Sequence, residues 1–70
     1  MKLNEGQIGK TYIIKKVDTG KDNEMRSFLF SLGCYDGEPV TIIDKKTNLI
    51  ITVKDARYGI DKQLAEAIEI

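Results

Sequence analysis

The spacing of apolar positions in residues 25–43 predicts a helix followed at once by a strand. Four apolar residues recur at i, i+3, i+4 and i+7, which is one stripe of a short helix: Met25, Phe28, Leu29 and Leu32. Asp22 is placed to cap the start of this helix, and Gly33 suits the left-handed residue that ends one. A turn at Asp36–Gly37 and a β-branched run from residue 40 complete the unit.

Other apolar runs predict short strands on both sides of this unit. Residues 11–17 have strand composition with imperfect alternation, which a bulge or strong coil would reconcile. The N-terminal segment 3–9 is predicted as a loop with Leu3 and Ile8 as core contacts and Gly6 and Gly9 as flexible points. Residues 54–58 are polar and Gly59 interrupts them. Residues 60–65 predict one helical turn, and residues 67–70 a closing strand.

Residues 40–53 are typical of a β-hairpin with a four-residue loop at 45–48. Pairing Asp44 with Leu49 places Ile42 opposite Ile51 and Val40 opposite Val53 on the predicted core face. The other face then pairs Ile43 with Ile50 and Thr41 with Thr52.

These elements predict a mainly β, small α+β fold. It is an SH3-like barrel of about five short antiparallel strands with one inserted α-helix, in a single domain of residues 1–70. The predicted core consists of Ile14, Met25, Leu29, Leu32, Val40, Ile42, Ile51, Val53 and Ile68.

Composition narrows the possible functions. Eleven basic and eleven acidic residues cancel, so no global field attracts nucleic acid or an anionic membrane. One cysteine excludes an internal disulfide. Because the chain has neither a signal-peptide pattern nor an apolar run of about 20 residues, we expect a cytoplasmic protein.

The residues for intrinsic chemistry are missing. Without histidine, the chain lacks the usual acid–base group near neutral pH. Cys34 has no histidine partner, cannot form a metal site alone, and is interpreted as a small apolar residue. Asp18, Asp22 and Glu24 are more typical of helix capping than of metal ligation. We therefore expect no enzymatic activity, no bound metal and no cofactor.

A nucleic-acid-binding barrel is the alternative from another functional class. Several lysines and an arginine could share one face, and three tyrosines could stack on bases. Lysines at strand edges also prevent edge-to-edge pairing, and the aromatic residues form no recognisable binding motif. We expect no nucleic-acid binding.

The chain resembles the FeoA family over nearly its whole length. The resemblance is carried by the order and spacing of glycine and aliphatic positions: Gly9, Ile14, Val17, Leu29, Leu32, Gly33, Gly37, Val40, Ile60, Ala65, Ile68 and Ile70. Phe28 and Asp61 stand where the family often has arginine, and the hairpin lacks a glycine-rich insert.

The resemblance implies an SH3-like barrel that accompanies the FeoB membrane transporter in bacterial ferrous-iron uptake. The implied function is that of an accessory module contacting the transporter's cytoplasmic GTPase region, with weak self-association as a further option. The same domain type is found in iron-dependent repressors, so a stand-alone relative of that domain is another alternative.

Two contact surfaces are predicted. The first is the hairpin face formed by Ile43, Ile50, Thr41 and Thr52 and rimmed by Lys45 and Lys54, unless another segment covers it. The second lies just past the helix end and comprises Phe30, Cys34 and Tyr35, unless these residues are tucked under the N-terminal loop. A docking surface needs an exposed apolar centre and a polar rim.

Overall fold

Two antiparallel sheets and two helices make up the computed structural model, which describes residues 1–70. After a 3₁₀ turn at Leu3–Glu5, the elements are β1 (Thr11–Ile13), β2 (Lys16–Val17), α1 (Asn23–Leu32), β3 (Pro39–Lys45), β4 (Leu49–Val53), β5 (Ala56–Ile60), α2 (Lys62–Glu66) and β6 (Ile68–Glu69). The larger sheet has the order β1-β3-β4-β5, and β2 pairs with β6 in the smaller one.

The first predicted strand passes from one sheet to the other. In the larger sheet, the Ile14 amide donates to the Glu38 carbonyl at 2.9 Å. The next amide, that of Lys15, donates to the Glu69 carbonyl at 2.7 Å in the smaller sheet. This bend explains the imperfect alternation of residues 11–17, because the two halves face different partners. It also closes the two sheets into a barrel.

Helix α1 begins and ends where local capping rules place it. The Asp22 carboxylate accepts a hydrogen bond from the Met25 amide at 2.9 Å. At the other end Gly33 has φ of 97°, and the amides of Gly33 and Cys34 donate to the carbonyls of Phe30 and Leu29. Both predicted caps are confirmed, since each satisfies backbone groups that a helix end leaves unpaired.

The apolar stripe of α1 is narrower than predicted. Leu29 is fully buried, and Met25 and Leu32 are partly buried against the core. Phe28 is 48% exposed, so its place in the stripe is wrong. Adjacent helical residues differ by about 100° in direction, and a stripe centred on Leu29 leaves Phe28 at its edge.

The predicted hairpin register is correct for half of its length. Thr41 pairs with Thr52 and Ile42 with Ile51, but Asp44 pairs with Ile50 and Lys45 with Leu49. The connection therefore has three residues instead of four, and a bulge at Ile43 absorbs the difference. The predicted Ile43–Ile50 pair is wrong. The bulge places Asp44 opposite Ile50, on the face away from the core, and the exposed Lys45 opposite Leu49.

Strand β5 lies where the sequence predicted a polar segment broken by Gly59. It pairs with β4 from Val53–Ala56 to Leu49–Ile60. The two residues that connect these strands, Lys54 and Asp55, have φ of 50° and 65°. Positive φ at both central residues makes a tight hairpin turn without the glycine or asparagine that usually marks one.

The core agrees with most of the predicted set. Leu3 is buried as predicted, whereas Ile8 is 57% exposed, so its core assignment is wrong. Helix α2 and β6 occupy the predicted C-terminal turn and strand. The buried core consists of Leu3, Ile14, Val17, Leu29, Cys34, Val40, Ile42, Leu49, Ile51, Val53, Ile60, Ala65, Ala67, Ile68 and Ile70.

Candidate contact surface

A row of polar side chains crosses the larger sheet on the face opposite the core. Val40, Ile42 and Ile51 are buried, so the alternating residues on the same strands point outward. The strand pairings place these residues side by side, and the row comprises Thr11, Thr41, Thr52 and Arg57. The Thr11 and Thr41 hydroxyl oxygens are 2.7 Å apart. We call the outward side of this sheet the outer face.

Apolar residues flank this row of polar side chains on both sides. Ile13, exposed, pairs with Pro39 at one side. At the other side lie Ile43 and Ile50, both half-buried, and a β-carbon on Gly59 would lie only 3.5 Å from Ile50 Cδ1. The structure thus brings Thr41, Thr52, Ile43 and Ile50 to one region, although the isoleucines are less exposed than a docking centre requires.

A groove of about 410 Å³ lies on the outer face. Thr41 and Thr52, two residues of the first predicted contact surface, form part of its lining. The other lining residues come from the β4–β5 turn and from the start of β3: Glu38, Pro39, Lys54 and Asp55. Of these four, only Lys54 was predicted, as a rim residue of this surface. The positive φ values at Lys54 and Asp55 place both side chains beside the groove. The groove is therefore polar, and its lining contains one cationic and two acidic side chains.

Lys54 connects the β4–β5 turn to the segment after α1. Its Nζ lies 2.9 Å from Glu38 Oε1 and 5.2 Å from the centroid of the Tyr35 ring. The Tyr35 hydroxyl and the Glu38 carboxylate hold the pKa of Lys54 above its ordinary value. The aliphatic stem also covers Gly33, because a β-carbon there would lie 2.9 Å from Lys54 Cδ. One side chain thus fixes one wall of the groove.

The second predicted surface is only partly present. Phe30 is 42% exposed and its ring meets the half-buried Tyr35 ring edge-on, with 6.1 Å between centroids. Arg26 lies 5.7 Å from the Phe30 ring centroid. Cys34 is fully buried, so its inclusion in a surface patch is wrong. The chain reverses direction after Gly33 and turns the Cys34 side chain into the core.

Burial governs the chemistry of Cys34. Removal from water raises the pKa of the thiol to about 11, because the charged thiolate loses its hydration. We expect a disulfide reagent to label Cys34 slowly at pH 8 in the folded protein and fully once urea unfolds it. Fast labelling under native conditions would contradict the buried placement.

The same burial predicts a loss of stability in alkaline solution. The folded-state pKa of about 11 lies above the ordinary value of 9.0, so the folded state favours the neutral thiol. The neutral buried thiol therefore contributes fully to the free energy of unfolding below about pH 9. This contribution to stability is lost as the pH rises toward 11. Urea unfolding of wild type and Cys34→Ala across this range measures it, because the variant lacks the thiol-dependent part of the decline.

The described chain contains no group of three or more cysteine or carboxylate side chains placed to hold a metal ion. The Asp18 carboxylate accepts from the Gly20 amide and Asp22 from the Met25 amide. The Asp18 carboxylate thus stabilises the turn before α1, and the Asp22 carboxylate caps the N-terminus of α1. We expect Fe²⁺ and Zn²⁺ to bind no more tightly than about millimolar. Calorimetry that found a stoichiometric micromolar site would contradict this prediction.

The architecture is that of a small SH3-like barrel, with a four-stranded sheet closed by a two-stranded one and a helix between β2 and β3. A comparison with protein-family models matches residues 1–70 to the FeoA domain. The chain belongs to the FeoA family, which is related to ferrous-iron transport and is not a known enzyme family.

Solved structures share this fold. An iron uptake regulatory protein, FeoA, is 26% identical with a TM-score of 0.86, and the match covers 97% of this chain and 89% of that one. A FeoA from Stenotrophomonas maltophilia, complexed with zinc and described as a prokaryotic SH3 domain protein, is 22% identical with a TM-score of 0.88. That match covers 99% of this chain and 87% of the other.

The fold also occurs inside longer chains, among them a manganese-dependent transcriptional repressor of which the match covers 39%. IdeR from T. acidophilum is 19% identical with a TM-score of 0.87, and the match covers 97% of this chain but only 32% of IdeR. At this identity the likeness shows the fold alone. A search of curated proteins found no significant sequence match. No helix is both long and apolar enough to cross a membrane.

Proposed function

We propose that this protein is a non-enzymatic accessory module of ferrous-iron transport and acts by contact with the cytoplasmic GTPase region of a FeoB-like transporter. The observation that carries the proposal is the FeoA family match over residues 1–70. The absence of histidine and of a metal-ligand cluster supports a role through contact rather than through bound iron.

The outer face is the contact surface we propose. It places exposed apolar side chains at one flank, half-buried isoleucines at the other, and polar and charged groups between them, so a partner would contact both apolar and polar side chains. The threonine side chains stand on paired strands of the sheet, so the surface is rigid before binding. A rigid surface loses little conformational entropy when a partner docks.

A double substitution tests this surface. Thr41→Arg with Thr52→Arg adds two bulky cations to the middle of the outer face, and we expect it to weaken binding to an immobilised FeoB-like GTPase region by more than about tenfold. Gln7→Arg with Ser27→Arg adds the same charge at exposed positions elsewhere. This control should bind like wild type, and NMR spectra establish that both variants are folded.

Each possible result leads to a definite conclusion. Binding that survives in the folded Thr41→Arg, Thr52→Arg variant would exclude the outer face. In that case Phe30→Ser tests the remaining exposed part of the second surface, which includes Tyr35. Wild-type protein that fails to bind the GTPase region at all would contradict the proposed function itself.

A further inference from the structure

A second groove, of about 320 Å³, lies between the β3–β4 connection and α2. Three lysines contribute to its lining, two from the hairpin end and one from the first residue of α2. The lining comprises Asn4, Lys45, Lys46, Thr47, Leu49, Lys62 and Ala65, and we call it the lysine groove. It shares no lining residue with the groove on the outer face.

The positive charge of the lysine groove is only partly neutralised. Lys46 Nζ lies 3.7 Å from Asp44 Oδ2, and the Lys46 side chain is 80% exposed, so this ion pair is weak. Lys62 forms no salt bridge, and the neighbouring Asp61 carboxylate accepts from the Leu64 amide as a helix cap. Lys45 Nζ donates to the Asn4 carbonyl at 3.0 Å and has no carboxylate partner. The groove therefore offers cationic donors to an anion.

The remaining lining adds apolar surface and an unpaired acceptor. Leu49 and Ala65 are buried residues that contribute the apolar part of the lining. The side-chain oxygen of Asn4 is buried and has no hydrogen-bond partner. Because this oxygen is closed off from solvent, it is not counted as a ligand contact, and the lining offers a ligand the three lysines and the apolar surface.

We propose that the lysine groove binds an acidic peptide segment of a partner protein. Glutamate or aspartate side chains would pair with Lys45, Lys46 and Lys62, and their aliphatic parts and the peptide backbone would pack against Leu49. A phosphate group could pair with the lysines but has no apolar part to pack against Leu49. The volume matches a few side chains rather than a whole domain.

Nucleic acid fits this groove less well. Binding of single strands generally combines a cationic groove with aromatic side chains that stack on bases. No aromatic residue lines the lysine groove, and the Tyr12 hydroxyl is already engaged as acceptor for the Gln7 amide. The zero net charge of the chain also provides no general attraction for a polyanion.

The test is an NMR titration of the isotope-labelled protein with acetyl-tetraglutamate amide at about 50 mM salt, where screening is weak. We expect chemical-shift changes confined to the lysine groove and the residues beside it. Lys46→Ser and Lys62→Ser should each weaken binding about two- to fivefold, and the triple variant with Lys45→Ser about tenfold or more. All three side chains are exposed, so these variants should remain folded.

Lys10→Ser, Lys15→Ser and Lys21→Ser together provide the matched control, because they remove the same charge from exposed positions outside the groove. This control should change the affinity by less than about twofold at the same salt. Equal losses in the two triple variants would overturn the proposal, and so would shift changes spread over all lysines. Tighter binding of inorganic phosphate or of an oligothymidylate of about ten nucleotides would also overturn it.

The lysine groove is proposed independently of the outer face. If the Thr41→Arg, Thr52→Arg variant loses the transporter but still binds tetraglutamate, both proposals stand. If wild-type protein binds the transporter but no acidic peptide, only the lysine groove is excluded. If it binds the peptide at the groove but not the transporter, the groove stands and the proposed function fails.

Discussion

Truncation of Leu29 to alanine should lower the free energy of unfolding by about 2–5 kcal/mol. Leu29 is the one fully buried side chain of α1 and packs against the core formed by both sheets. Its removal leaves a cavity that the surrounding strands cannot fill, because their side chains are held by the barrel pairing. In a domain whose total stability is about 5–15 kcal/mol, the loss is a large fraction. Urea denaturation followed by circular dichroism measures it.

Phe28→Ala is the control from the adjacent position on the same helix. Its side chain is 48% exposed, so the expected change is below about 1 kcal/mol despite the larger number of atoms removed. The contrast distinguishes packing from helix propensity, because alanine favours a helix at both positions. Equal destabilisation by the two truncations would contradict the position of the stripe on α1.

The helix and its ends could be predicted because the rules that set them are local. Asp22 and Gly33 act on backbone groups within four residues of themselves. The period of the apolar residues located Leu29 on the inner side. The same period could not exclude Phe28, since which edge of a stripe is covered depends on strands distant in sequence.

The sequence predicts which strand residues face the core, but it does not predict the full pairing register of the β3–β4 hairpin. Alternation fixed the inward direction of Val40, Ile42, Ile51 and Val53, and all four are buried. The bulge at Ile43 has no local signal in the sequence, and it accompanies a hairpin connection that is one residue shorter than predicted. The same uncertainty in register affects the candidate contact surface, because Ile43 and Ile50 lie in one region but do not form a cross-strand pair.

The groove on the outer face could not be predicted from the sequence, because the features that form its walls also lack a local sequence signal. Its walls depend on a hairpin turn at Lys54–Asp55 that has neither glycine nor asparagine, and on a salt bridge from Lys54 to Glu38, 16 positions away in the sequence. The family assignment needed neither feature. It rested on glycine and aliphatic positions whose order reflects the barrel, which is why the fold was predicted more completely than the site.

Gly6→Ala should destabilise the protein by about 1–3 kcal/mol through overpacking. Sequence reasoning treated Gly6 as a flexible point, but its φ of −73° and ψ of 170° are ordinary for any residue, and it is buried. A β-carbon at this position would lie 2.6 Å from Ile42 Cδ1 and 2.8 Å from Tyr12 Cε2. The requirement at Gly6 is therefore for space and not for backbone freedom.

Neither neighbour of Gly6 can move away at low cost. The Tyr12 ring is held by the hydrogen bond from the Gln7 amide to its hydroxyl, at 2.9 Å, and Ile42 is fully buried in the barrel. Gly59→Ala is the matched control, because a β-carbon there meets only Ile50 Cδ1 at 3.5 Å, an ordinary contact. That substitution should change stability by less than about 1 kcal/mol, and it also removes freedom from the unfolded chain. Thermal unfolding of both variants decides the matter: a Gly6→Ala midpoint equal to that of Gly59→Ala would mean that the N-terminal segment does not pack against Tyr12 and Ile42 as described.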